Sequence, residues 1–111
     1  MIVIISAQQA QLDGPIDVRF GRCSWLLRID TDTRQWQAFQ NPGINQSGGA
    51  GVAAAQFAID QHANAVISGD FGPNAANALR AAGVEMYRLV DGASTPQQAL
   101  DLYTQGKLIA F

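Results

Sequence analysis

The sequence predicts an α/β protein in which helices pack on a mixed sheet. Three observations carry that prediction. Met1-Ile-Val-Ile-Ile-Ser6 is a short β-branched apolar run of the kind that forms an interior strand. Beyond Ser47, stretches with helical periodicity alternate with short apolar segments, and proline or glycine punctuates each change. The chain of 111 residues is 48% apolar and 14% charged, enough for one real core and too apolar for disorder.

The elements follow in order. After the first strand, Gln8–Cys23 carries Asp13, Gly14, Pro15 and Gly21 without a helical period, which predicts a long loop. Second and third strands are expected at Ser24–Asp30 and Trp36–Asn41, joined by the short polar Thr31-Asp32-Thr33-Arg34 as an antiparallel hairpin. Ser47-Gly48-Gly49 leads into an alanine-rich, largely buried helix reaching about His62, with Gln56, Asp60 and Asn64 as its wet face. Ala65–Ser68 reads as an interior strand. Pro73 suits the first position of a helix that buries Ala75, Ala76, Leu79 and Ala82 and stops at Gly83. A fifth strand is expected over Val84–Val90. Thr95, Pro96 and Gln98 spell a capping box for a last helix, which buries Ala99, Leu102 and Tyr103 and ends at Gly106. The apolar Leu108–Phe111 that follows needs cover, from the sheet or from a second copy of the chain. Residues 1–111 are expected to form one domain.

Composition removes several functions. Seven basic and nine acidic side chains give a net charge of −2, which argues against nucleic-acid or membrane binding through bulk charge. A single cysteine forbids an internal disulfide, and a single histidine forbids a zinc site built on several imidazoles. No apolar stretch is long enough to cross a bilayer, and Met1–Ser6 has neither a basic start nor a cleavage region. No signal peptide is expected, and a reduced cytoplasmic setting follows.

If only the second strand runs against the others, one carboxyl edge of the sheet gathers the loops Gln8–Cys23, Asn41–Gly51, Gly69–Asn74 and Asp91–Ser94. Ligands of open α/β sheets bind at that edge, where helix N-termini collect. It would bring together Arg19, Arg22, the only thiol Cys23, and most of the glycine. His62 would lie at the opposite edge.

Five strings in this order resemble one family: Ile16-Asp17-Val18-Arg19-Phe20-Gly21-Arg22, Asn41-Pro42, Gly48-Gly49-Ala50-Gly51, Ser68-Gly69-Asp70-Phe71-Gly72-Pro73 and Tyr103-Thr104-Gln105-Gly106-Lys107-Leu108. They resemble the dinitrogenase iron-molybdenum cofactor biosynthesis proteins, the NifX/NafY-like family, over essentially the whole chain. The resemblance implies a ribonuclease-H-like α/β/α arrangement with a five-stranded sheet of order 3-2-1-4-5 and strand two antiparallel. It also implies a non-enzymatic, cytoplasmic accessory of nitrogen fixation that binds or carries an iron-sulfur-type metallocluster, transiently and without a permanent cofactor, among cofactor-assembly proteins. Many members carry Asp-x-His-Phe-Gly, whose histidine is the expected cluster contact. Arg19 stands in that place here, and a guanidinium offers charge rather than a metal-binding lone pair.

Each candidate has a sharp and a plain reading. Arg19 and Arg22 would clamp an anion, or pair with Asp13 or Asp17. Cys23 would be a soft ligand for iron, copper or a cluster, its pKa lowered by the two arginines, or a small buried hydrophobe. Ser47, Gly48, Gly49 and Gly51 would cradle an anion with main-chain N–H groups, or permit close helix–sheet approach. Gly49-x-Gly51-x-x-Ala54 also matches a dinucleotide fingerprint, but Asn41–Ser47 separates it from the preceding strand. Asp70 would contact a cation or ligand, or cap a turn. Nuclease chemistry is disfavoured, because the first strand holds no carboxylate. The edge therefore suits a preassembled anion better than a bare cation. The alternatives are an anion- or nucleotide-binding module without cluster binding, and a small cation-dependent hydrolase using Asp70.

Overall fold

The computed structural model describes residues 1–89 and 94–111. The opening apolar run forms β1 (Ile2–Ala7), an interior strand that pairs with a neighbour on each side. Period-two alternation divides its side chains, with Ile4 in one apolar layer and Val3, Ile5 and Ala7 in the other. β2 (Trp25–Asp30) and β3 (Trp36–Gln40) make the expected hairpin, and β2 is antiparallel to β1 with Ile5 opposite Leu27. β4 (Ala65–Ser68) and β5 (Glu85–Arg88) continue the sheet parallel to β1.

The sheet has six strands rather than five, in the order β3-β2-β1-β4-β5-β6. The sixth, β6 (Ile109–Ala110), runs antiparallel along the outer edge of β5. The expected cover is partial: Leu108 and Phe111 pack half-buried against the two apolar layers of their own chain, whereas Ile109 and Ala110 are exposed.

α1 (Ala50–Asp60) and α2 (Pro73–Ala81) cover one face, and α3 (Pro96–Thr104) covers the other. Ala54, Ala55 and Ala58 are fully buried, so α1 lies close on the sheet. Leu79 from α2 and Leu100 from α3 anchor the two layers, each burial worth about 2 kcal/mol. α1 ends two residues before the expected His62, which takes the left-handed conformation at φ 59° and turns the chain towards β4. Ala82, expected inside, is exposed at the end of α2. Thr95 and Gln98 form the predicted capping box on α3. Val90 and residues 91–93, expected as a strand end and an edge loop, lie outside the described residues. Ser94 is described, and its carbonyl accepts a hydrogen bond from Ile16 N at 3.0 Å.

Candidate functional site

After β1 the chain returns across the carboxyl edge of the sheet. Ile16 bridges to Ala7, Asp17 N donates to the Ser6 carbonyl at 3.1 Å, and Phe20 N donates to the Asp70 carbonyl at 3.0 Å. Two fully buried hydroxyls fix this crossing. Ser6 bonds the Asp17 carbonyl and lies 2.8 Å from the Ser68 hydroxyl, which reaches the Val18 carbonyl at 3.3 Å. Gly21 then presses against α1, where an added Cβ would come within 2.9 Å of Gly51 N.

This crossing and the starts of α1 and α2 enclose a cleft of about 330 Å³. Arg19, Phe20 and Arg22 form one wall, Gly49–Val52 a second, and Asp70–Ala75 a third. The two helices meet closely here, since a Cβ on Gly51 would stand 3.2 Å from Ala75 Cβ. Neither helix carries a side-chain cap. In α1 the N–H groups of Ala50, Gly51 and Val52 precede the first helical bond, from Ala53 N to Gly49 O. In α2 those of Asn74 and Ala75 precede the bond from Ala76 N to Gly72 O. Two positive helix ends thus converge on one cleft.

The arginines hold that cleft through bonds inside the chain. Asp17 is buried, and its Oδ1 accepts from Arg19 N at 2.9 Å. Arg19 Nε and Nη2 donate to the two oxygens of the same carboxylate at 3.3 Å each. This hydrogen bonding, and then the attraction of the Asp17 charge, raises the Arg19 pKa further. Arg22 Nη1 donates to the Gln46 carbonyl at 2.8 Å. A guanidinium has five N–H donors, so these bonds orient the two forks without exhausting them.

Cys23 lies behind the cleft wall. Its sulfur is fully buried and donates to the Phe20 carbonyl at 3.2 Å. Burial, followed by the negative charge of Asp17, pushes the thiol up to about 12. This reverses the expectation that the arginines would lower it, because their heads point outwards while the sulfur points into the core. Asn41 organises the same wall from a buried position: its Nδ2 donates to the carbonyls of Cys23 at 3.0 Å and Gly21 at 3.1 Å, and its Oδ1 accepts from Gly43 N at 2.9 Å. The sequence shows Asn41 only as a turn former, and nothing in its spacing announces that role.

Of the remaining candidates, Gly49, Gly51 and Asp70 line the cleft, whereas Ser47 and Gly48 are exposed in the preceding loop and do not. Asp70 is the one acidic side chain in the lining, and its Oδ1 accepts from Gly72 N at 3.3 Å. His62 sits near the opposite edge, just before Asn64 N bonds Ile2 O. The loop of residues 41–49 keeps the Gly49-x-Gly51-x-x-Ala54 string apart from β3. Among the described residues, no three His, Cys, Asp or Glu side chains gather to hold a metal ion. With guanidiniums, free N–H groups and one carboxylate, the lining fits an anion and lacks the ligands a bare cation requires.

The fold and cleft define a three-layer α/β protein with an arginine-rimmed groove where two helices begin. The chain belongs to the dinitrogenase iron-molybdenum cofactor family, whose model matches residues 1–106. It is 23% identical over 119 residues to an uncharacterised protein of Methanocaldococcus jannaschii, a match covering 100% of this chain and 99% of that one. The apo form of the orange protein from Desulfovibrio gigas is similar at 31% identity and a TM-score of 0.92, covering 99% of this chain and 92% of that one. A Thermotoga protein, described as a candidate NifB protein of the DUF35 family, is similar at 28% identity and a TM-score of 0.85, covering 98% and 91%. No helix among the described residues is long and apolar enough to cross a membrane.

Proposed function

We propose that residues 1–111 act as one NifX/NafY-like unit, a non-enzymatic carrier of an anionic iron-sulfur-type metallocluster or its precursor. The observation that carries this reading is the convergence of two uncapped helix N-termini with Arg19 and Arg22 on one open cleft. The family description names an iron-molybdenum cofactor, and the similar orange protein has an apo form, which suits a cargo that is bound and released. Arg19 and Arg22 supply charge, the N–H groups at Gly49–Val52 and Asn74–Ala75 supply donors, and Asp70 shapes the turn between them. Holding by charge and hydrogen bonds, without a coordinating thiolate, permits hand-over to cofactor-assembly proteins in the cytoplasm.

Protein purified in air should be essentially metal-free and should bind tetrathiomolybdate, a dianion of molybdenum and sulfide, saturably at one site. Visible absorption titration at fixed ionic strength reads the binding, and affinity should fall as salt rises. Absence of saturable binding at low salt would overturn the carrier reading.

A further inference from the structure

The cleft has an aromatic floor that continues out to the sixth strand. Phe20 and Phe71 line the cleft with ring centroids 5.4 Å apart, and the Phe71 ring also meets Phe111 at 5.0 Å. Phe111 lies beyond the residues that the family model spans. Its N–H donates to the Met86 carbonyl at 2.9 Å, and the guanidinium carbons of Arg88 and Arg80 lie 5.1 and 5.9 Å from its ring centroid. Phe111 also lines a second hollow of about 350 Å³ on the other side of the Gly72-Pro73 turn. The first turn of α2 is therefore a wall, with the cleft in front of it and Phe111 behind.

That wall is lightly tied. Pro73 has no N–H, Gly72 caps the helix at φ 71° without a side-chain bond, and the Asp70 contact to Gly72 N is long at 3.3 Å. Apolar packing has to supply what hydrogen bonds do not. We infer that Phe111 is a positioning residue, acting through Phe71 to hold the first turn of α2 where its N–H groups face the cargo. The inference rests on the carrier reading for the identity of the cargo, but the contact chain exists without it. β6 is two residues long, with Ile109 exposed, so it belongs to the part of the fold that opens locally at low cost. If Phe111 shapes the cleft, linkage requires that filling the cleft also steadies Phe111.

Tetrathiomolybdate titration and amide hydrogen exchange on the whole chain test this. Phe111→Ala should weaken binding by about tenfold and speed exchange at Ala76 N by about tenfold, with Ile4 and Val66 in the central strands unaffected. Phe111→Leu should recover most of the loss. Saturating anion should slow exchange at the Phe111 N–H of the wild type, a response that a merely structural residue would not give. Unchanged affinity in Phe111→Ala, or a Phe111 amide indifferent to the anion, would overturn the inference. If the wild type binds no anion, the carrier reading fails, and Ala76 exchange alone decides: faster in Phe111→Ala upholds the positioning role, unchanged rejects it. If Phe111→Ala loses protection throughout, the wild type decides by the response of its Phe111 N–H to saturating anion: slowed exchange upholds the inference and an unchanged rate overturns it.

Discussion

Cys23 separates holding by coordination from holding by charge, and its reactivity follows from its surroundings. The sulfur is fully buried, and its pKa stands at about 12 against 9.0 for an unperturbed thiol. Three units make the thiolate about a thousandfold scarcer at neutral pH than in an exposed cysteine. Folded protein should therefore react with a thiol-exchange reagent at least about a thousandfold more slowly than the same chain in denaturant. The shift also has a stability consequence. Because the folded pKa lies above the unfolded one, the contribution of the neutral thiol is whole below about pH 9 and is lost as pH climbs towards 12. Over that window it amounts to about 4 kcal/mol, so the stability of Cys23→Ala should fall less steeply with alkaline pH than that of the wild type. Denaturant melts across the alkaline range measure the difference, and the comparison cancels the tyrosines that titrate nearby. Native labelling within about tenfold of the denatured rate, or parallel alkaline curves, would refute the reasoning.

Two further outcomes follow from the cleft walls. Arg19→Ala should weaken tetrathiomolybdate binding by about tenfold, and Cys23→Ser should leave it within about threefold; the opposite ranking in the same titration would show that sulfur holds the cargo. Gly43→Ala should lower unfolding free energy by about 2 kcal/mol, because its Cβ would overlap the Ala50 carbonyl, a backbone atom that cannot step aside; an unchanged denaturant midpoint would contradict that packing.

Where hydrophobic period and end signals agree, the sequence reads cleanly. The hairpin, Ala65–Ser68 and the Thr95–Gln98 capping box lie where local residues demand them. The sixth strand was harder to read, because Leu108–Phe111 is apolar without enough length to show a period, and its place depends on the bare edge of β5. In the site, glycines and arginines announce the edge, because backbone approach and charge leave residue-type signatures. Burial direction leaves none. Cys23 and Arg19 are four residues apart, yet one faces the core and the other solvent, and only the loop path set by Ser6, Ser68 and Asn41 determines which. The pairing of Arg19 with Asp17 was legible as an alternative, and the structure shows both partners engaged while the fork still borders the cleft.

Arg19 supports one more prediction, since the family resemblance drawn from the sequence implies a histidine in its place. Asp17 Oδ1 accepts from the main-chain N–H of Arg19, a bond that does not depend on the side chain. Any residue put there begins beside the same carboxylate. An imidazole in that position would be favoured in its protonated form by the neighbouring charge and would titrate between about pH 6 and 8. Arginine stays charged throughout, and its own shift is upward. Sulfate stays a dianion over this range, so it reports only on the protein. Arg19→His should bind sulfate nearly as well as the wild type at the acidic end and about tenfold more weakly at the alkaline end, when one charge-assisted contact is gone. The wild type should be flat. Calorimetric titrations of both proteins at matched ionic strength decide it: a wild type that varies with pH as the variant does would mean that Arg19 is not the charge that the anion meets.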